Sequence, residues 1–262
     1  MTKNEEKTYD ILLLDIETAP SISYTWGYYN QNLGHDMILD YGGYIMSCGL
    51  KWLGEDEVTY FENRTKDDKK IVEIILSYLD LADYVVAHNG GRFDFPYIKT
   101  RAIINGLKPP SPYKVIDTLA IAKKEMKFKR NNLSFLAEAL NVQRKSDHAK
   151  FKGILLWSEC MNGNEEAWKE MKHYNITDVE VLEQVYLKLR SWSSTHPNIN
   201  KKTKVTEVCC PVCGSSNLGT RGYYTTNKGK YRRYSCKDCG AWSSSTFTLN
   251  EKADRKNLLV SR

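Results

Sequence analysis

The sequence predicts an α/β protein built on a mixed five-stranded sheet with flanking helices, followed by a small C-terminal metal-stabilised module. Three observations carry that prediction. Residues 9–16, Tyr-Asp-Ile-Leu-Leu-Leu-Asp-Ile, form an apolar run of the kind that is buried on both faces of a sheet. Three strand-like stretches come first, and helical and strand patterns then alternate, which is the signature of a sheet with mixed strand direction. Two Cys-x-x-Cys pairs near the C-terminus lie in a segment too short to build its own core.

The elements follow in order. Residues 9–16 are the first strand, with further strands at 43–53 and 57–62. Between 68 and 81, Ile71, Ile74, Ile75, Tyr78 and Leu79 recur at helical spacing. Tyr84-Val-Val-Ala87 is a short central strand; a Gly90-Gly91 loop leads from it into a helix from Phe93 to Gly106. The Lys-Pro-Pro-Ser-Pro segment at 108–112 breaks the chain, and Val115-Ile116 is a fifth strand. Helices follow at 117–126, 132–141 and 165–190. This gives one domain over residues 1–192, a polar linker at 193–205, the cysteine module at 206–250 and a flexible tail at 251–262.

Composition narrows the classes. With 262 residues, 41% hydrophobic and 27% charged, the chain has enough apolar material for a core. It contains no run near the ~18 apolar residues of a membrane span. The N-terminus Met-Thr-Lys-Asn-Glu-Glu-Lys is no signal peptide, so the expected setting is cytoplasmic, with reduced thiols. The net charge of +6 is unevenly spread. Residues 1–194 hold 25 Lys+Arg against 28 Asp+Glu, net −3, whereas 195–262 hold 13 against 4, net +9. A basic C-terminal part is either solubilising or meets a polyanion.

Four carboxylates in three segments are the main chemical signal. Asp15 and Glu17 are two apart on a strand and so share a face. Asp94 sits at the first turn of a helix, and Tyr174 and Asp178 are i and i+4 on the last helix. Singly, each has an ordinary structural explanation: a turn cap, a helix cap, an exposed helical acid. Together they are a set of oxygen ligands suited to divalent cations.

In order and spacing, Asp-x-Glu, Asn-x-x-x-Phe-Asp and Tyr-x-x-x-Asp resemble the three motifs of the DEDD-superfamily (DEDDy) 3′–5′ exonucleases. The stretch Asn89-Gly-Gly-Arg-Phe-Asp-Phe-Pro-Tyr-Ile98 is similar to the proofreading domains of family B DNA polymerases. Tyr24-Thr-Trp-Gly27 with Gln31-Asn32, together with a C-terminal ribbon, resembles stand-alone phage and bacterial members. The resemblance implies an RNase H-like fold and hydrolysis by two Mg²⁺ or Mn²⁺ ions about 4 Å apart. Asp15, Glu17 and Asp178 would hold one ion, Asp15 would bridge to the other, and Asp94 would act through the outer shell. The implied substrate is nucleic acid with a single-stranded or frayed 3′ end, DNA favoured over RNA. The implied product is nucleoside 5′-monophosphate, and the setting a bacterial or phage-infected cell. Either Tyr174 or His173 would orient the attacking water; they point about 100° apart on a helix, and the surrounding motifs favour Tyr174.

Residues 20–42 form a long aromatic connection with Tyr24, Trp26, Tyr28, Tyr29 and Tyr41, either a small satellite core or a base-stacking surface. Trp26, Asn89 and Phe93 are the substrate-contact candidates that the resemblance implies. The basic stretch Lys123, Lys124, Lys127, Lys129, Arg130 reads as a solvated face, and Asp117 has no ligand role in the family pattern. Two other readings remain open. One is a non-catalytic nucleic-acid- or partner-binding protein on the same scaffold; the other is a structure-specific endonuclease.

Cys210-Pro-Val-Cys213-Gly and Cys236-Lys-Asp-Cys239-Gly specify one structural, tetrahedral Zn²⁺. Gly214 and Gly240 supply the positive φ that a tight turn needs. Between the pairs, Tyr223, Tyr224, Lys228, Lys230, Tyr231, Arg232, Arg233 and Tyr234 interleave aromatic and basic side chains. That pattern fits a hairpin, a surface for single-stranded nucleic acid, or a docking site for a protein.

Overall fold

The computed structural model describes residues 10–27, 29, 32–142, 150–202 and 207–253; Tyr28, Gln31 and most of the expected tail lie outside them. The chain divides into a compact unit over Asp10–Tyr186 and a second that begins at Leu187.

The first unit runs β1 (Ile11–Thr18), β2 (Ile22–Ser23), β3 (Ile38–Asp40), β4 (Ile45–Trp52), β5 (Thr59–Glu62), α1 (Lys69–Leu81), β6 (Tyr84–Ala87), α2 (Asp94–Ile104), β7 (Lys114–Asp117), α3 (Thr118–Glu125), α4 (Leu133–Ala139), α5 (Leu155–Met161) and α6 (Glu165–Leu189). Every expected strand and helix is present to within two residues at each end. Two features were not expected: the β2–β3 ribbon inside the aromatic connection, and α5.

The sheet has five strands in the order β5-β4-β1-β6-β7. β1 is antiparallel to β4 and parallel to β6, β4 is antiparallel to β5, and β6 is parallel to β7. This is the mixed RNase H-like sheet the sequence predicts. Strand alternation sorts β1 cleanly. Leu12, Leu14 and Ile16 are buried in one cluster with Ile71, Ile75 and Leu79 of α1 and Phe95 and Ile98 of α2. Each fully buried aliphatic there contributes about 1.5–3 kcal/mol. Asp15 and Glu17 therefore emerge on the opposite face, where Trp157 of α5 and Asn175 of α6 meet them. On that side Ala19, Tyr44 and Met46 pack with Leu156, Cys160, Trp168 and Met171.

Asp68, fully buried before α1, receives Arg101 Nε and Nη2 at 2.7 and 2.9 Å, Asn105 Nδ2 at 2.8 Å and the Ile45 N–H at 2.9 Å. This bidentate pair ties α1 and α2 to β4.

In the second unit, β8 (Leu218–Thr226), β9 (Gly229–Cys236) and β10 (Trp242–Thr248) form an antiparallel sheet in the order β10-β9-β8. Ile199 and Asn200, in the stretch expected to be linker, are buried; Asn200 Nδ2 donates to the Cys210 carbonyl at 2.9 Å and Ile199 N–H to the Pro211 carbonyl at 3.0 Å. They belong to the ribbon because its first cysteine turn has polar backbone groups to satisfy.

Candidate active site

The carboxylates approach one end of β1 because of where strands stop, though no three of them come within the 4.8 Å of one another at which the cysteines below cluster. β6 pairs with β1 only from Ile11 to Leu13, so the β1 edge beyond Leu13 has no strand beside it on that side. The chain leaving β6 turns at Asn89, whose φ of 67° is in the left-handed region. Asp117 stabilises this turn, accepting from the N–H groups of Asn89 at 3.0 Å and Gly91 at 3.4 Å while capping α3. Gly90 has no room for a side chain, since a Cβ would lie 2.5 Å from that of Ala87. The turn delivers Asp94, at the start of α2, to the uncovered β1 edge, where its Oδ1 accepts the Ile16 N–H at 3.2 Å.

From the other side comes α6. Asp15 pairs with Gly49 across β1 and β4, and a Cβ on Gly49 would lie 2.7 Å from Val179 Cγ2 and 3.2 Å from the Asn175 carbonyl. The missing side chain lets α6 approach the sheet opposite Asp15. Asn175 Nδ2 then donates to Asp15 Oδ2 at 2.6 Å, and Ser47 Oγ lies 3.4 Å from Asn175 Oδ1. Trp157 Nε1 donates to Glu17 Oε2 at 2.9 Å, and its ring meets Tyr174 edge-on at 5.8 Å. Tyr174 lies on the α6 face that carries Asp178, whose charge acts on its phenol. His173, by contrast, is exposed.

The electrostatics are those of crowded anions. Burial, then the charges of Glu17, Asp94 and Asp178, hold Asp15 well above the usual carboxylate range against the lowering effect of Asn175. Burial pushes Glu17 up to about 8; the Trp157 N–H opposes this, and Asp178 and Asp94 add to it. Burial raises Asp94 to about 7 despite its backbone donors. Burial and the neighbouring Asp178 also raise the Tyr174 phenol. Such shifts mark functional clusters more often than structural ones. The donor set is all oxygen, which suits Mg²⁺ or Mn²⁺, and bound cations would favour the ionised form that burial disfavours.

Other expected contacts fall differently. Trp26 is fully exposed, and Tyr24, Tyr29 and Tyr41 are 74%, 86% and 59% exposed. The described rings of this connection do not form a satellite core. Phe93 is half-buried, stacked at a tilt on Tyr97 with centroids 4.9 Å apart. Lys123, Lys124, Lys127, Lys129 and Arg130 are all exposed, as a solvated face requires. Asn175 and Trp157 were missed. Asn175 stands three residues before Asp178 on the same helical face, a signal that was available; nothing local in the sequence ties Trp157 to Glu17.

A family model of the RNase H superfamily matches residues 39–190. The chain belongs to the RNase H superfamily. The matched RNase H region includes Asp94, Tyr174 and Asp178, and begins after Asp15 and Glu17. Among solved structures, the family B DNA polymerase from the hyperthermophilic archaeon Pyrobaculum calidifontis superposes with a TM-score of 0.51 at 14% identity. The match covers 70% of this chain and 25% of the polymerase chain, so the chain corresponds to a quarter of that protein. At this identity the two share the RNase H-like fold. No curated protein matches the chain.

In the second unit, Cys210, Cys213, Cys236 and Cys239 bring their sulfurs within 4.8 Å of one another; among the described residues they are the one group of three or more metal-type ligands this tight. The Cys210–Cys239 and Cys213–Cys236 sulfurs are 3.6 Å apart. Tetrahedral zinc with ~2.3 Å bonds places sulfurs about 3.8 Å apart. The two turns are built alike: the Gly214 and Gly240 N–H groups donate to the Cys210 and Cys236 carbonyls at 2.9 and 3.1 Å, both glycines near φ +77°. Burial raises the Cys236 thiol, but the N–H groups of Cys239 and Asp238 outweigh it and bring it down to about 7. Cys209 stays outside the group, its Sγ near the Glu207 carbonyl. Among the described residues, Val212, Leu218 and Ala241 pack with these cysteines, so the ribbon's described core is largely its four cysteines.

Proposed function

We propose that the chain is a divalent-metal-dependent 3′–5′ exonuclease that hydrolyses nucleic acid, DNA in preference to RNA, to nucleoside 5′-monophosphates. The observation that supports this reading is the arrival of Asp15, Glu17 and Asp94 at one end of β1, with Asn175 on Asp15, Trp157 on Glu17 and the Ile16 N–H on Asp94. Membership of the RNase H superfamily supports it.

Asp15, Glu17 and Asp178 would hold one Mg²⁺ or Mn²⁺, with Asp15 shared with a second and Asp94 in the outer shell. Bound there, the ions would neutralise the cluster and supply Lewis-acid stabilisation of phosphodiester hydrolysis. Asn175 orients the Asp15 carboxylate and Trp157 that of Glu17. Tyr174, high in pKa, keeps its proton and can hold a water by its hydroxyl. Trp26, Asn89 and Phe93 are the proposed contacts to the terminal nucleotides, with Trp26 offering an open ring for stacking.

A purified Asp15→Ala/Asp178→Ala variant should lose cleavage of 3′-ended single-stranded DNA in Mn²⁺ while retaining most of its binding. Unchanged cleavage would overturn the assignment. Tyr174→Phe should cost more activity than His173→Ala; the reverse order would move the water-orienting role to His173.

A further inference from the structure

The ribbon carries a second surface whose chemistry the carboxylate centre does not use. From Gly214 to Ser235 the chain has five cations, Arg221, Lys228, Lys230, Arg232 and Arg233, and no carboxylate. Strand register divides their side chains between two faces. Arg232 pairs with Tyr223 and Lys230 with Thr225, so these share one face with Tyr234. Tyr231 pairs with Tyr224, Arg233 with Ser244 and Ser235 with Trp242, so these share the other.

The two faces differ in what they offer a ligand. On the first, Lys230 Nζ lies 4.0 Å from the Tyr223 ring centroid and the Arg232 guanidinium 5.8 Å from it, so two of the ribbon's own cations share that ring, against Arg233 on Trp242 of the other face. On the second, an open groove of about 620 Å³ runs past Tyr224, Tyr231, Asn227, Lys228, Ser244 and Ser245. Tyr224 is 50% exposed and Trp242 is 54% exposed. Arg233 lies 4.8 Å from the Trp242 ring, anchored by its Nε on the Arg221 carbonyl at 2.9 Å. The Tyr224 and Trp242 positions are four residues apart along β9 and one strand to either side of it, about 16 Å in all, which spans several unpaired bases.

The hairpin tip that carries Lys228 is tied to the end of β10. Asn250 Oδ1 accepts the Lys230 N–H at 2.6 Å, and the Leu249 N–H donates to the Lys230 carbonyl at 2.7 Å, tying the end of β10 to the hairpin tip. Gly229 allows this closure, since a Cβ there would lie 2.7 Å from Thr248 Oγ1.

We propose that this face binds single-stranded polynucleotide, with bases stacked on Tyr224 and Trp242 and phosphates held by Lys228 and Arg233. Five cations with no carboxylate among them complement a polyanion, and half-exposed rings beside them match unpaired bases, which a peptide of merely acidic character does not supply. The inference does not depend on the activity proposed for the other unit.

The test is fluorescence anisotropy of the zinc-loaded full-length protein with labelled oligothymidylate and oligouridylate, without added Mg²⁺ or Mn²⁺, across a salt series. Both probes should bind, and their ratio separates DNA from RNA as the preferred source. Tyr224→Ala and Trp242→Ala should each weaken binding about tenfold, with Tyr224→Phe and Trp242→Phe close to wild type. Lys228→Ala and Arg233→Ala should each flatten the salt slope by about 0.7. Tyr223→Ala, on the opposite face, should change affinity less than about twofold. Affinity unchanged in both alanine variants at full zinc content overturns the proposal, as does binding of neither probe. Should an alanine variant lose zinc, the salt slopes decide: unchanged slopes overturn it.

Discussion

Adding one methyl group at Gly49 tests whether the close approach of α6 to the sheet builds the carboxylate centre. The new Cβ would lie 2.7 Å from Val179 Cγ2 and 3.2 Å from the Asn175 carbonyl. Ordinary carbon contacts need about 3.5–4.0 Å, so the helix must retreat by roughly 1 Å, because the branched Val179 side chain has few rotamers with which to yield. That retreat would stretch the Asn175–Asp15 hydrogen bond, now 2.6 Å, beyond bonding range. Overpacking of this kind costs about 1–3 kcal/mol, or roughly 5 °C in Tm for a unit of this size. A misplacement of about 1 Å in a catalytic group can cost about 10²-fold in rate. Gly49→Ala should therefore lose far more nuclease activity than its modest fall in Tm would suggest. Calorimetry and initial rates on single-stranded DNA measure the two effects. Val179→Ala should restore part of both in a double-mutant cycle, with a coupling of about 1 kcal/mol. A Gly49→Ala protein with unchanged Tm and rate would refute the reasoning.

Three further outcomes follow from the same structure. Arg101→Ala leaves the fully buried Asp68 without its bidentate partner, and should cost about 3–5 kcal/mol, read as a lowered urea midpoint. The pH dependence of the metal-free protein should run against the usual acid sensitivity. Glu17 and Asp94 rise from 4.5 and 3.8 to about 8 and about 7 on folding. The folded state thus binds more protons than the unfolded across that window, and stability falls as pH rises through it. Thermal scans from about pH 6 to about pH 9 should show Tm falling without divalent ions, and falling less with Mn²⁺, which binds the ionised form. Finally, chelating zinc should unfold the ribbon while leaving the α/β unit intact, seen as fast hydrogen exchange in β8–β10 and retained protection in β1, β4 and β6.

Much of this was legible in the sequence, for identifiable reasons. β1 and β6 are continuous apolar runs because both lie inside the sheet, and α1 declares itself through isoleucines at helical spacing. The carboxylates are readable because each sits at the end of such an element. The four clustered cysteines are readable because paired metal-ligand turns need fixed spacing. What escaped is what depends on distant partners. α5 is seven residues long, bracketed by glycines, and gives too few turns for a period to show. Its Trp157 reaches Glu17 across 140 residues. Gly49 looks like a weak point in a strand until α6 is laid against it. The aromatic connection kept both of its readings because exposure is a tertiary property.

The most direct test of the account is the product pattern from 5′-end-labelled single-stranded DNA incubated with the protein and Mn²⁺. The labelled fragments should shorten one nucleotide at a time from the 3′ end, with unlabelled nucleoside 5′-monophosphates released in step and resolved by chromatography. Intact substrate, or discrete internal cuts that release oligonucleotides, would contradict it.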